Sequence, residues 1–83
     1  MRLSPDVIAR RLGDGTVLVH LPSNRIFQLN ESGARAWELI GQGLSLQLVV
    51  DRLVAEFDAS IEQIEREVNA LVAELGEAGL LES

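Results

Sequence analysis

The spacing of apolar residues changes once along the chain, near Asn30. Before this position, short runs rich in β-branched and apolar residues are separated by glycine, proline and asparagine, which is typical of strands joined by tight turns. After it, apolar residues recur every three or four positions, as they do in amphipathic helices. The pattern predicts an α+β fold in which a small sheet comes first and helices follow.

Three strands are predicted, at 7–12, 16–21 and 25–29, and the first has the weakest pattern. Gly13-Asp14-Gly15 predicts a hairpin turn, because glycine readily adopts the positive φ that such turns require. Pro22-Ser23-Asn24 predicts a second turn. Connections this short make consecutive strands antiparallel neighbours, so we expect a three-stranded antiparallel meander.

Three helices are predicted after the sheet, and each follows a residue whose side chain can accept a hydrogen bond from an unpaired N–H of the first turn. They are 31–40 after Asn30, 46–57 after Ser45, and 61 to 75–78 after Ser60. Gln63, three residues after Ser60, completes a capping box. A sheet followed by three helices predicts a single domain, 1–83, that resembles a winged helix–turn–helix.

Composition excludes most catalytic chemistry. A chain of 83 residues buries only about 60% of the surface that its unfolded form exposes, which leaves little room for a deep pocket beside a core. There is no cysteine, and His20 is the only histidine, so thiol chemistry and a metal site of cysteine or histidine ligands are not expected. We expect no catalytic residues, no metal and no cofactor, and therefore a protein that is not an enzyme.

Charge limits the partners. Seven arginines and thirteen carboxylates give a formal net charge of −6, which disfavours nucleic acid and anionic membranes. A winged-helix DNA-binding regulator therefore remains only as an alternative suggested by the architecture. No apolar run approaches the roughly 18 residues needed to span a bilayer, and residues 1–5 lack the apolar part of a secretory signal, so we expect a cytoplasmic location.

Several segments resemble a known family in their order and spacing. They are Gly15–Val19, Arg25–Asn30 with its aromatic-x-Leu-Asn signature, Glu31–Ile40 with Gly33 and Trp37, Gly43–Ser45, Leu53–Asp58, and the run from Val68 through Leu71 and Leu75 to 79–81. In this combination the chain, from Gly15 to Leu81, resembles the PqqD-like family, the RiPP recognition elements. Phe27 and Trp37 make it most similar to the stand-alone leader-binding proteins of lasso-peptide biosynthesis.

The resemblance implies a function that the residues alone do not give. Members bind the leader segment of a ribosomally made precursor peptide and present it to a processing enzyme. In the lasso-peptide branch that enzyme is a separate cysteine protease, which removes the leader. The alternative within the family is a PqqD-type peptide chaperone for a radical SAM enzyme. Both imply a precursor peptide and a maturation enzyme as partners.

The resemblance also implies where the leader lies, which is along the third predicted strand beside the third predicted helix. The expected peptide-binding residues are Arg25, Ile26, Phe27, Gln28, Leu29, Glu67, Val68, Leu71 and Val72. An open strand edge offers unpaired backbone groups to such a segment. Packing in the core remains an equal alternative for each apolar residue of this set, and Arg25 and Glu67 also fit ordinary solvated charges. The same edge is open to pairing with a second copy of the chain.

Overall fold

A computed structural model describes residues 1–82 and confirms the predicted α+β class. The elements are, in chain order, β1 (Arg2–Leu3), β2 (Val7–Leu12), β3 (Gly15–His20), β4 (Arg25–Leu29), α1 (Glu31–Gly41), α2 (Leu46–Phe57), α3 (Ile61–Glu77) and β5 (Leu81–Glu82). The arrangement is a winged helix–turn–helix-like fold with the main sheet placed before the helices. Ser83, the last residue of the predicted 1–83 domain, lies outside the described residues.

The main sheet has the order β2-β3-β4 with antiparallel pairing throughout, which confirms the predicted meander. Its two turns use the residues that the sequence indicated, since Gly13 has φ +60° and Asn24 has φ +59°. The middle strand begins one residue earlier than predicted and ends at His20. Leu21 therefore belongs to the turn and is exposed.

A second, two-stranded sheet was not predicted. β1 pairs antiparallel with β5, with Arg2 opposite Glu82 and Leu3 opposite Leu81. The Ser4 N–H donates to the Leu80 carbonyl at 2.9 Å and extends this pairing toward the core. Two-residue strands carry no periodicity from which a sequence could predict them. The pair joins the two ends of the described chain beside the helices.

The predicted capping residues begin all three helices. The caps are the Asn30 side chain, which accepts from the Gly33 N–H at 2.8 Å, and the Ser45 and Ser60 hydroxyls, which accept from the Leu48 and Gln63 N–H groups at 3.3 and 3.2 Å. The helices end close to the predicted positions. α1 extends one residue further, through Gly41, and α3 ends at Glu77 before Gly79, whose φ is +88°.

The core lies between the inner face of the main sheet and the three helices. Its buried residues are Leu18, Phe27, Leu29, Ala34, Ala36, Trp37, Leu39, Ile40, Val49, Val50, Leu53, Ile64, Val68, Leu75, Leu80 and Leu81. Alternation along β4 places Phe27 and Leu29 on the inner face, while Ile26 and Gln28 point outward. No side-chain nitrogen or oxygen buried in the described part of the chain lacks a hydrogen-bond partner.

Candidate functional site

The free edge of β4 is the first part of the candidate site. β4 pairs with β3 along one side, and within residues 1–82 no strand pairs with its other side. An unpaired edge presents backbone N–H and C=O groups that can bond to another extended chain.

The register shows which backbone groups face that edge. The Leu21 N–H donates to the Asp6 carbonyl at 3.0 Å, so Leu21 and Asp6 form a hydrogen-bonded pair. Hydrogen-bonded and non-hydrogen-bonded pairs alternate along the antiparallel strands β2 and β3. Every second residue of β3 therefore bonds to β2, and the residues between them bond to β4. The β4 residues whose backbone groups consequently point toward β3 are Arg25, Phe27 and Leu29. The N–H and C=O groups of Ile26 and Gln28 face the open edge.

The close approach of Gly15 to β4 agrees with this alternation. A Cβ at Gly15 would overlap the carbonyl oxygen of Leu29, so that carbonyl points toward β3. The strand therefore offers four outward-facing backbone groups, two donors and two acceptors, on Ile26 and Gln28.

A groove of about 400 Å³ lies between the end of β4 and α3. Its β4 side is formed by Gln28, Leu29 and Asn30, its floor by Ser32, Gly33, Ala36 and Leu53, and its α3 side by Ile64, Glu67, Val68, Ala70, Leu71 and Glu74. The groove is deep at this point because Gly33 has no side chain and Ala36 has only a methyl group. A Cβ at Gly33 would stand 3.1 Å from the Asn30 side-chain oxygen that caps α1. Gly33 therefore serves both the start of α1 and the depth of the groove, whereas Ala36 serves the depth alone.

Five of the nine residues expected at the site lie together in this groove. They are Gln28, Leu29, Glu67, Val68 and Leu71. The remaining four, Arg25, Ile26, Phe27 and Val72, do not line it. Phe27 is only 8% exposed and packs in the core, and the Arg25 guanidinium carbon lies 4.9 Å above its ring centre. Ile26 is 67% exposed on the opposite face of the sheet.

The expected residues included none of the four floor residues, and on the α3 side they omitted Ile64, Ala70 and Glu74. Glu74 follows Leu71 by three positions, and Glu67 precedes it by four, so helical spacing places all three on one face of α3. That spacing was available in the sequence. Ala36 and Leu53 had no comparable signal, because a residue that packs in the core and a residue that floors a groove share the same apolar periodicity.

The groove is apolar inside and acidic along the α3 side. Glu67 and Glu74 are exposed at that side, whereas the β4 side carries no carboxylate. The same asymmetry extends over the chain. Residues 1–29 hold four arginines and two aspartates, a formal charge of +2, and residues 30–83 hold three arginines and eleven carboxylates, a formal charge of −8. The site therefore favours an extended segment with apolar side chains and a cation toward α3.

The groove contains no arrangement typical of an active site. Among residues 1–82 no three histidine, aspartate or glutamate side chains gather closely enough to hold a metal ion. The Arg35 side chain is hydrogen-bonded to the Glu56 carboxylate and lowers the pKa of that carboxyl, and this pair lies outside the groove. None of the described helices has both the length and the apolar character needed to cross a membrane.

The fold and site define a class of protein: a small winged-helix-like domain with an open strand edge beside an apolar groove. Residues 15–81 match the family model described as coenzyme PQQ synthesis protein D (PqqD). The chain belongs to this family and is a PqqD-like RiPP recognition element. No curated protein is significantly similar to it in sequence.

Two solved structures are similar over nearly their whole length. TbiB1 in complex with the TbiA(beta) leader peptide is 30% identical, with a TM-score of 0.90 over 100% of this chain and 96% of the other. A lasso peptide synthetase B1 complexed with the leader peptide is also 30% identical, with a TM-score of 0.83 over 95% of this chain and 93% of the other. Both of these proteins were therefore solved with a peptide bound.

Proposed function

We propose that this protein binds the leader segment of a ribosomally synthesised precursor peptide by strand addition to β4, beside α3, during lasso-peptide maturation. The observation that carries the proposal is the position of the outward-facing backbone groups of Ile26 and Gln28 directly beside the apolar groove. The two solved structures described as leader-peptide complexes support the choice of ligand.

The geometry of β4 sets what the bound segment must look like. A strand added to this edge would bond to the N–H and C=O groups of Ile26 and Gln28, and these backbone bonds supply affinity for any extended sequence. Successive side chains of the segment would point to opposite faces of the sheet. One set would enter the groove against Leu29, Val68 and Leu71, and this set supplies specificity for apolar residues.

The acidic side of the groove determines where the leader would carry a positively charged side chain. Glu67 and Glu74 project from α3, so a lysine or arginine of the leader on that side would meet two carboxylates. Both carboxylates are exposed, so the gain in affinity from each pair is small, and the larger effect is to reject acidic segments. Arg25, at the other end of β4, would favour a carboxylate near that end of the leader.

The bound leader would then be presented to a processing enzyme, which in this branch of the family is a leader-removing cysteine protease. The protein itself acts without catalysis. Its contribution is to hold an otherwise flexible segment in an extended conformation, which raises the effective concentration of the scissile region near the protease. The precursor peptide and that protease are the two partners the proposal requires.

Fluorescence anisotropy of a labelled leader peptide from a lasso-peptide precursor of the same organism tests the proposal. We expect micromolar or tighter binding. The matched controls are two peptides in which a proline replaces one or the other of two adjacent central residues of the binding segment, because only every second N–H of an added strand faces β4. The absence of binding by a folded protein, or equal binding of all three peptides, would contradict strand addition to β4.

A further inference from the structure

Asn30 lies where the open edge of β4 meets the start of α1, and it lines both the groove and a second depression of about 340 Å³ beside it. Its backbone is still extended, with φ −72° and ψ −176°, although β4 itself ends at Leu29. The sequence predicts Asn30 as the cap of α1 and contains it in the aromatic-x-Leu-Asn signature. Neither observation accounts for its place in the groove.

Capping uses only the oxygen of the Asn30 side chain. Oδ1 accepts from the Gly33 N–H at 2.8 Å and from the Ser32 hydroxyl at 3.2 Å. Because a backbone N–H can bond only to the oxygen of a carboxamide, the cap also fixes the orientation of the group. The nitrogen Nδ2 carries two N–H donors and has no hydrogen-bond partner among residues 1–82. Since Asn30 is exposed, these donors are available to a ligand in the groove.

The backbone of Asn30 presents a further donor without a matching acceptor. The Leu29 carbonyl points toward β3, so the Asn30 N–H, in the same trans peptide group, points the opposite way and faces the open edge. The Asn30 carbonyl is not available at that edge, because it accepts from the Ala34 N–H at 2.8 Å as the first bond of α1. Beyond Gln28, Asn30 therefore offers the edge donors only, one from its backbone and two from its side chain.

Donors without acceptors favour a carbonyl or a carboxylate as the ligand, and charge separates these two. The residue after Asn30 is Glu31, and the α3 side of the groove carries Glu67 and Glu74. This acidic surface disfavours a further carboxylate from the leader. A backbone carbonyl carries no net charge, and every residue of an added strand has one. The donors of Asn30 therefore fit a main-chain carbonyl of the leader just beyond the segment beside Gln28.

We propose that the Asn30 side chain donates a hydrogen bond from Nδ2 to a backbone carbonyl of the bound leader, while its oxygen continues to cap α1. The inference rests on the proposed leader binding and deepens it, because it assigns one side-chain contact at the end of the open edge. Asn30 prolongs strand addition past Gln28, the last residue of β4 whose backbone groups face that edge. The role requires a carboxamide, whereas the serine caps of α2 and α3 require only an oxygen.

Serine and aspartate cap helices about as well as asparagine but lack its N–H groups, which permits a matched test. Asn30→Ser keeps an oxygen for the Gly33 N–H and adds no charge, and Asn30→Asp keeps the oxygen and replaces the donors with a second acceptor. Ser45→Ala is the control, because it removes the cap of α2, which does not line the groove. Anisotropy of the labelled leader measures affinity, and urea unfolding measures stability.

We expect Asn30→Ser to weaken leader binding by about threefold to tenfold, as for the loss of one neutral hydrogen bond, with an unfolding midpoint close to that of the wild-type protein. Asn30→Asp should lose at least as much affinity. Ser45→Ala should lower the unfolding midpoint and leave leader affinity within about twofold. Wild-type affinity in folded Asn30→Ser and Asn30→Asp variants would overturn the inference, and so would an equal loss of affinity in Ser45→Ala.

NMR of the isotope-labelled protein separates a contact with the leader from capping alone. The side-chain amide protons of Asn30 should shift downfield and exchange more slowly when leader binds, whereas those of Asn69, on α3 outside the groove, should not. Unchanged Asn30 amide protons in the saturated complex would overturn the inference. An affinity loss in Asn30→Ser that disappears at about 500 mM salt would assign the donors to a leader carboxylate, which also overturns it. Failure of the wild-type protein to bind leader would contradict the proposed function, and the inference with it.

Discussion

At the scale of single residues, the effect of a proline in β4 depends on which way the backbone of that residue faces. Gln28→Pro removes an N–H from the open edge, where the sheet does not use it, so the protein should fold and leader affinity should fall at least tenfold. Phe27→Pro removes an N–H that bonds to β3 and should destabilise the sheet itself. Anisotropy measures the affinity, and circular dichroism with urea unfolding measures the fold.

The control for Gln28→Pro lies on the opposite edge of the sheet. Ala9, in β2, also has its N–H directed away from β3 by the same alternation, so Ala9→Pro makes the same chemical change far from the groove. Ala9→Pro should leave leader affinity unchanged. If Gln28→Pro is folded and binds leader as tightly as Ala9→Pro, strand addition to β4 is wrong.

Part of this residue-level description was available from the sequence. Alternation predicted that Phe27 and Leu29 share one face, and side-chain chemistry predicted Asn30, Ser45 and Ser60 as caps, because both signals are local. The sequence alone could not predict that Ile26 and Gln28 are the residues whose backbone groups face the open edge. It depends on the hydrogen-bonding register between β3 and β4, which is fixed by pairing across the sheet.

At the scale of elements, α3 contains two neighbouring half-buried residues that the structure places differently relative to the groove. Leu71 lines the groove, and Val72, the next residue, packs against the core without lining it. We expect Leu71→Ala to weaken leader binding at least fivefold and Val72→Ala to change it by less than about twofold, because only the first removes apolar surface from the groove.

Since both residues are half-buried and contact the core, the two alanine variants should lose similar amounts of stability, on the order of 1–2 kcal/mol. Urea unfolding of both variants checks that a difference in leader affinity does not arise from a difference in folding. Equal loss of affinity in the two variants would place Val72 in the binding wall, as the family resemblance implies.

A salt bridge between Arg35 of α1 and Glu56 of α2 should make a small part of the stability depend on pH. The Arg35 guanidinium donates to both oxygens of Glu56 at 2.8 and 3.1 Å, and this hydrogen-bonded pair lowers the pKa of the Glu56 carboxyl. Because the folded pKa is depressed, the stabilisation is present at neutral pH and is lost as pH falls through the folded pKa. Both side chains are partly exposed, so the contribution to stability is small.

The measurement is an NMR titration of the Glu56 carboxyl carbon. We expect its pKa below the ordinary glutamate value in the wild-type protein, and a return toward that value in Arg35→Gln, which keeps a hydrogen-bond donor and removes the charge. An unchanged Glu56 pKa in Arg35→Gln would show that the pair does not set the titration. Leader binding should not respond to this substitution, since the pair lies outside the groove.

At the scale of the whole molecule, the sequence predicted the order and pairing of the main elements but not how the ends of the chain meet. The β1–β5 pair joins Arg2 to Glu82, 80 positions along the chain, through two-residue strands, and neither segment contains a pattern that specifies the other. The predicted groove position depended on a family resemblance, because the residues alone fitted core packing equally well. Tertiary structure separates Phe27, which is in the core, from Leu71, which lines the groove.

The uneven distribution of charge over the molecule should exclude DNA as a ligand and should leave leader binding only weakly dependent on salt. The helices carry most of the carboxylates. The helices that would contact DNA in a winged-helix regulator would therefore be repelled by the phosphates. We expect no binding of duplex DNA at about 50 mM salt, a concentration that favours electrostatic binding. Leader binding relies on backbone bonds and apolar contacts, so its affinity should fall only severalfold between about 50 and 500 mM salt. Anisotropy with labelled leader and labelled duplex, in the same buffers, measures both. A steep loss of leader affinity with salt, or DNA binding as tight as leader binding, would show that charge and not strand addition dominates recognition.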